Sequence, residues 1–309
     1  MFRQIWRLTI RSAAALSEEV VKVRAAEVKR MASQAIEELS MALDDGQSES
    51  LKKYLAMLGR FHRYSLGNVI LIALQRSDAT RVAGYRTFQQ LGRQVRQGER
   101  AIRILAPIAY RKRKRREVRE DETVQRDDET DEVLAFKPAA VFDVSQTDGE
   151  PLAEFARVNG DPAEHLLRLK DLVLSRGIML EYTNRIGSAQ GASGGGKIFL
   201  RTDLAPAEEF STLVHELAHE MLHQDKTERS KTVKETEAEA VAFVVCQAVG
   251  LECGTASSDY VQLYQGSKTT LLESLERIRG TAGEIIEAVL SGREQETEQG
   301  TQQEALAAA

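Results

Sequence analysis

Three of the five histidines in this chain of 309 residues fall within the ten residues VHELAHEMLH, as His215, His219 and His223. Residues four apart on a helix lie one above the other, so His215 and His219 can both turn an imidazole nitrogen towards one tetrahedral metal ion. Glu216 sits about 100° around the helix from His215, badly placed to ligate but well placed to hydrogen-bond a water on such an ion and take its proton. His223 lies two turns from His215, roughly 12 Å along an unbroken helix, so it cannot share the ion. It is assigned a supporting role behind the ligands or at the helix end.

A third protein ligand is needed, and VKETEAEAVAFVVCQAVG offers Glu235, Glu237 and Glu239. At 100° per residue the apolar face of this second helix comprises Ala238, Val241, Ala242, Val245 and Val249. Glu235 lies at one edge of that face, Glu239 beside it one turn on, and Glu237 is expected to point elsewhere. A carboxylate at the edge of a buried face needs compensation, which a metal supplies. Glu235 is therefore the expected ligand and Glu239 the outer carboxylate that orients a histidine. Two histidines and one glutamate leave a fourth position open, as catalytic sites do and structural ones do not. The plain alternative is half-buried histidines and surface carboxylates on amphipathic helices. The apolar flanks Phe210, Leu213, Val214, Leu217 and Met221, followed by a helix bearing glutamates, favour the metal site.

These groups must be held by several elements. Pro206 marks a first helical turn, with Glu208 and Glu209 near the positive end of the helix dipole. Upstream, GIMLEYT and KIFL read as strands, and GSAQGASGGG between them as a flexible hairpin loop beside the cleft. GASGGGK is no phosphate loop, because Ile198 and a strand follow Lys197 where Ser or Thr and a helix are required. Further helices are expected at about 17–43, 49–63, 162–176, 231–250, 257–266 and 268–290, with LGNVILIALQR a buried helical run. AIRILAPIAY alternates like a strand and should pair with FKPAAVFDVSQT. Between them RKRKRREVREDETVQRDDETDE has no apolar period and reads as an exposed hairpin extension or disordered loop.

Charge is segregated within a net of −5. Leu51 to Arg119 hold eighteen Lys or Arg against three acids, whereas Glu120 to Glu132 hold eight acids and one Arg. A solvated surface is one reading of such runs, but a basic block in an acidic protein points to a polyanion partner. No apolar run approaches the roughly 20 residues that span a bilayer, which argues against a membrane protein. The first residues, MFRQIWRLTIRSAAALSEEV, lack the continuous apolar core of a secretion signal. Cys246 and Cys253 resemble reduced core thiols, so the cytoplasm is the expected compartment.

The block FSTLVHELAHEMLH followed by KETEAEAVAFVVCQAVG resembles the ImmA/IrrE-type metallopeptidases, the gluzincin-like zincins that include the peptidase domain of ArdC antirestriction proteins. The resemblance, over about residues 165–250, implies Zn2+ on His215, His219 and Glu235, with Glu216 catalytic. YSLGNVILIALQRSDATRVAGYRTFQQLGRQVRQGERAIRILAP resembles the N-terminal, single-stranded-DNA-binding domain of ArdC-type proteins, with Phe88 where tryptophan is expected. Single-strand binding needs cations along the phosphates and flat groups under the bases. The candidates are Arg60, Arg63, Arg76, Arg81, Arg86, Arg93, Arg96 and Arg103, interleaved with Tyr64, Tyr85 and Phe88. Core packing is the alternative for Tyr64 and Phe88. Asn68 and Gln75, seven apart on one helix face, could meet a base or the DNA backbone, or serve as structural amides.

The expected fold is α+β in two domains: an α+β ssDNA-binding module, then a mostly helical zincin-like (gluzincin) metallopeptidase domain with a small sheet. Expected boundaries are an N-terminal helical extension (1–32), the ArdC-like module (33–148, with its charged insertion at about 111–133), the ImmA/IrrE-like domain (160–290) and a disordered tail (291–309). The resemblance implies a mobile-element protein that binds single-stranded DNA, cuts a protein or peptide substrate and protects incoming DNA from restriction; no membrane partner is expected, from the lack of a spanning apolar run. Two alternatives are a non-proteolytic ssDNA-coating protein and a regulatory protease that cleaves a repressor.

Overall fold

The computed structural model describes residues 25–111, 132–149, 162–223, 229–251, 260–264 and 267–291. Most of the expected N-terminal extension, the heart of the charged insertion, the expected domain boundary and the tail lie outside these residues. The first half opens with three helices, α1 (residues 25–44), α2 (Ser48–Arg60) and α3 (Leu66–Gln75). Val28, Ala35, Leu39 and Leu43 bury one stripe of α1, and Leu51, Leu55 and Leu58 one stripe of α2. Ser65 caps α3, its hydroxyl accepting the Asn68 N–H.

Short elements follow: β1 (Val82–Ala83), α4 (Tyr85–Gln90) and β2 (Arg93–Val95), then the long strands β3 (Ile102–Arg111) and β4 (Glu132–Asp143) and the short β5 (Thr147–Gly149). β3 and β4 pair antiparallel from Ile102↔Val141 to Arg111↔Glu132, so the charged insertion does join two pairing strands. β1 adds to β4, giving the order β1-β4-β3, and β2 pairs with β5. The buried Asp143 carboxylate ties these pieces together by accepting the N–H groups of Thr80, Arg81 and Ser145. Burial pushes its pKa up, but bonds from Ser145, Arg81 and Thr80 outweigh that and hold it below the usual range.

Among the described residues β3 has no strand partner on its side away from β4, and α3 supplies one from side chains. Asn68 donates from Nδ2 to the Leu105 carbonyl and accepts the Leu105 N–H on Oδ1, both at 2.9 Å. Gln75 does the same for Arg103, also at 2.9 Å in each direction. Residues two apart on a strand point their backbone groups the same way, and residues seven apart on a helix share a face, so two amides serve one edge. Asn68 and Gln75 are therefore not turned outward towards DNA; unpaired strand groups claim both amides.

The second half contains α5 (Pro162–Ser175), β6 (Met179–Tyr182), β7 (Gly191–Gly194), β8 (Lys197–Leu200), α6 (Pro206–Leu222), α7 (Lys231–Val249) and α8 (Lys268–Leu290). Its sheet has the order β6-β8-β7, with β6 parallel and β7 antiparallel to β8. The glycine run expected to be a loop is thus half strand. Only Gly195 and Gly196, with φ of +62° and +78°, make the two-residue turn, a conformation that glycine adopts without strain. The helix expected at 257–266 is, in its described part, a 3-10 turn over Tyr260–Leu263. Cys246 is buried on α7 and disulfide-bonded, which corrects the reading of it as a thiol; Cys253 lies outside the described residues.

Helices of both halves share one core that includes Leu55, Leu58, Val69, Leu169, Leu217, Val245 and Ile285. α2 packs against α7 so closely that a Cβ on Gly59 would stand 2.7 Å from the Val244 carbonyl oxygen. The helix that carries the expected glutamate ligand is thereby braced from the first half of the chain. No described helix is long and apolar enough to cross a membrane.

Candidate metal centre

α6 begins where the sequence marks it. Pro206 occupies the first turn and the Glu208 carboxylate accepts the Ala205 N–H at 3.2 Å. Phe210, Leu213, Val214, Leu217 and Ala218 are fully buried and fix the rotation of the helix. α7 is capped by Ser230, whose hydroxyl accepts the Val233 N–H, and ends on Gly250 in the left-handed region at φ 73°. α6 packs against α7, and their facing turns bring the expected ligands together.

His215 Nε2 and His219 Nε2 lie 3.1 Å apart. Glu235 Oε2 stands 3.4 Å from His219 Nε2 and 3.6 Å from His215 Nε2. A tetrahedral ion with bonds of about 2.0–2.1 Å requires ligand atoms about 3.3 Å apart, so the triangle has the size of one tetrahedral face. The donor set fits a zinc-like ion. Burial, and then the neighbouring His215, hold the His219 imidazole down to about 4, which leaves it neutral and able to donate a lone pair at neutral pH. Glu235 is half exposed.

Glu216 points to the other flank, towards β7. It is 7% exposed, and Ser193 Oγ donates to its Oε2 at 2.7 Å. Gly191, on the same strand face as Ser193, leaves the space the carboxylate needs: a Cβ there would lie 2.9 Å from Glu216 Oε1 and 2.7 Å from Thr212 Cγ2. Burial pushes the Glu216 pKa up, with Glu235 and Glu220 adding to the rise and Ser193 and His215 opposing it. A buried carboxylate with a raised pKa is a stronger base than an exposed one. Ser193 escaped the sequence reading because the glycine run hid a strand in which 191 and 193 share a face.

Behind the triangle the structure corrects one expectation. Glu237, expected to point elsewhere, is the buried carboxylate that meets His223: His219 Nδ1 lies 3.0 Å from His223 Nδ1, and His223 Nε2 lies 3.0 Å from Glu237 Oε2. Glu237 is completely buried, yet Arg229 at 2.7 Å and Ser274 at 2.8 Å donate to it and Arg277 stands 3.7 Å away. Burial raises its pKa, but bonds from His223 and Ser274 and the charges of Arg229 and Arg277 bring it below the usual range. A face count on α7 alone misses this, because α8 covers the side it treats as polar. Glu239 is partly buried one turn beyond Glu235.

The basic block divides by what its side chains touch. Arg93 bonds to Thr147 Oγ1, Thr147 O and Gly149 O, and Arg96 to Glu99, Asp148 and Ser145 O, so both lace β2 to β5. Arg60 reaches the Ala79 carbonyl and Met57 Sδ, and Arg76 reaches Ser145 and Asp78. Tyr64 packs edge-on against Phe61 with its hydroxyl on Val82 O, and Phe88 is fully buried, so neither ring is free to stack on a base. Arg63, Arg86 and Arg103 are exposed, as is Tyr85, while Arg81 is partly buried. Tyr85 lines an open cavity of about 760 Å³ with Gln94, Arg96, Glu99, Phe142 and Asp148.

Comparison with known proteins places these observations. Residues 25–142 match the family model described as the N-terminal domain of anti-restriction factor ArdC. An uncharacterized Bacillus anthracis protein, pXO2-81, is 25% identical over 288 residues, covering 78% of this chain and 48% of its own length. The chain thus spans about half the length of that relative. Two solved structures of the antirestriction protein ArdC from plasmid R388 are also similar. The Mn(II)-bound one is 18% identical with a TM-score of 0.51, over 84% of this chain and 98% of its own. The metal-free one is 20% identical with a TM-score of 0.46, over 74% and 86%. The Mn(II)-bound match shows a shared fold of mixed helix and sheet.

Proposed function

We propose, from the match of residues 25–142 to the ArdC N-terminal domain, that the chain is an ArdC-type antirestriction protein of a mobile element, pairing an ssDNA-binding module with a zinc-dependent peptidase centre. The observation that carries the peptidase half is the triangle of His215, His219 and Glu235 with Glu216 beside it. The R388 protein holding Mn(II) supports a divalent ion in such a fold.

His215, His219 and Glu235 would hold a zinc ion, which would supply Lewis acidity to the scissile carbonyl and lower the pKa of a bound water. Glu216 takes the proton of the attacking water and delivers it to the leaving amine, so one C–N bond breaks as one C–O bond forms. Ser193 keeps the carboxylate aimed while it waits. Among the described residues no strand pairs with the outer edge of β7, where an extended peptide can add its backbone hydrogen bonds.

Removal of metal tests this reading. Hydrolysis of an unfolded protein by the zinc-loaded chain is expected to stop on chelation and return on adding zinc; cleavage indifferent to chelation would refute it. For the nucleic-acid half, Arg86 is an exposed cation and Tyr85 an exposed ring, while Arg63 and Arg103 are exposed with Glu287 at 3.8 Å and Glu27 at 3.5 Å, acids that phosphates would have to displace. With about three phosphate contacts, oligonucleotide affinity should fall with log[salt] at a slope of about −2, and Arg86→Ala should flatten it by about 0.7. A titration without salt dependence would remove DNA from the account.

A further inference from the structure

We propose that His223 and Glu237 are positioning residues for the metal ligand His219, forming with Arg229 a hydrogen-bonded chain that fixes which nitrogen of His219 carries its proton. The proposal rests on the metal-centre reading above and extends it to residues that touch neither metal nor substrate.

The chain permits one arrangement of protons. His219 Nε2 faces His215 and Glu235, so it must be bare to ligate, and its proton resides on Nδ1. Nδ1–H then donates to His223 Nδ1, 3.0 Å away. His223, accepting there, carries its own proton on Nε2 and donates it to Glu237 Oε2, also at 3.0 Å. Glu237 ends the chain as a buried carboxylate, its other oxygen receiving Arg229 and Ser274. Arg277 stands beside it and also donates to the Leu222 carbonyl at the end of α6, so the motif helix and the chain share an anchor on α8. A negative charge two bonds removed from His219 raises the basicity of Nε2, as partners behind metal-bound histidines do elsewhere. A role confined to packing would not require this sequence of donors and acceptors. Burying a carboxylate where an apolar side chain would fill the same space also costs stability unless the charge is used.

Zinc affinity of the full chain, measured by competition with a chromophoric chelator, separates positioning from packing. His223→Leu fills space but accepts nothing, and should weaken zinc about 10- to 100-fold. His223→Asn, whose Oδ1 can stand near the Nδ1 position, should recover most of that loss. Glu237→Gln keeps an acceptor without the charge and should fall between the two. Thermal melting of the metal-free proteins reports whether each variant folds. Equal affinities for His223→Leu and His223→Asn, whether both native or both weak, would overturn the proposal, as would a native affinity for Glu237→Gln. A wild-type chain that binds no zinc would instead overturn the metal centre itself.

Discussion

Glu216→Gln is expected to leave zinc bound with native affinity while hydrolysis falls about 10²- to 10⁴-fold, the usual worth of a positioned general base. The substitution is nearly isosteric, and the glutamine oxygen can still accept the Ser193 hydroxyl, so β7 and α6 should stay in register. Glu216 contributes no atom to the triangle, so affinity for the ion is not at stake. What disappears is a buried base whose pKa burial has raised. Measured together, zinc affinity and turnover distinguish three accounts. Lost turnover with native affinity supports the peptidase. Unchanged turnover removes Glu216 from the chemistry. Unchanged protection of DNA by a protein that no longer cleaves favours a coat over an enzyme, with the zinc site a structural relic.

Much of the metal site is visible in one dimension because helical spacing is local. His219 follows His215 by four positions, and Glu235 lies at the edge of a face that Ala238, Val241, Ala242 and Val245 identify. The pairing of β3 with β4 is equally legible, since alternating apolar residues flank the charged insertion on both sides. What stays hidden depends on partners far along the chain. Glu237 looks like a surface residue until Ser274, 37 residues later, arrives with α8. Asn68 and Gln75 look free until an edge 28 to 37 residues away needs their amides. The arginines mislead for the same reason: Arg93 is spent on the Gly149 carbonyl and Arg96 on the Ser145 carbonyl, some fifty residues away, which no count of charges reveals. Ser193 was lost to a different cause, because a glycine-rich strand carries almost no side-chain pattern from which a period of two can be read.

The central claim is that two imidazoles and one carboxylate converge on one ion, and ligand deletion should show its largest effect there. Structural zinc sites with four protein ligands bind with about 10–16 kcal/mol, so each ligand carries roughly 3–4 kcal/mol, or about 10²- to 10³-fold in affinity. Glu235→Ala and His219→Ala should each lose that much, although Glu235 lies sixteen residues from the nearer histidine in sequence and is joined to it only by the packing of α7 on α6. X-ray absorption at the zinc edge of the loaded wild-type chain observes the convergence itself. The account predicts one zinc per chain with two imidazoles and a remainder of oxygen ligands, and only one imidazole in whatever zinc His219→Ala retains. A zinc signal without imidazole scattering, or one unchanged by His219→Ala, would contradict it.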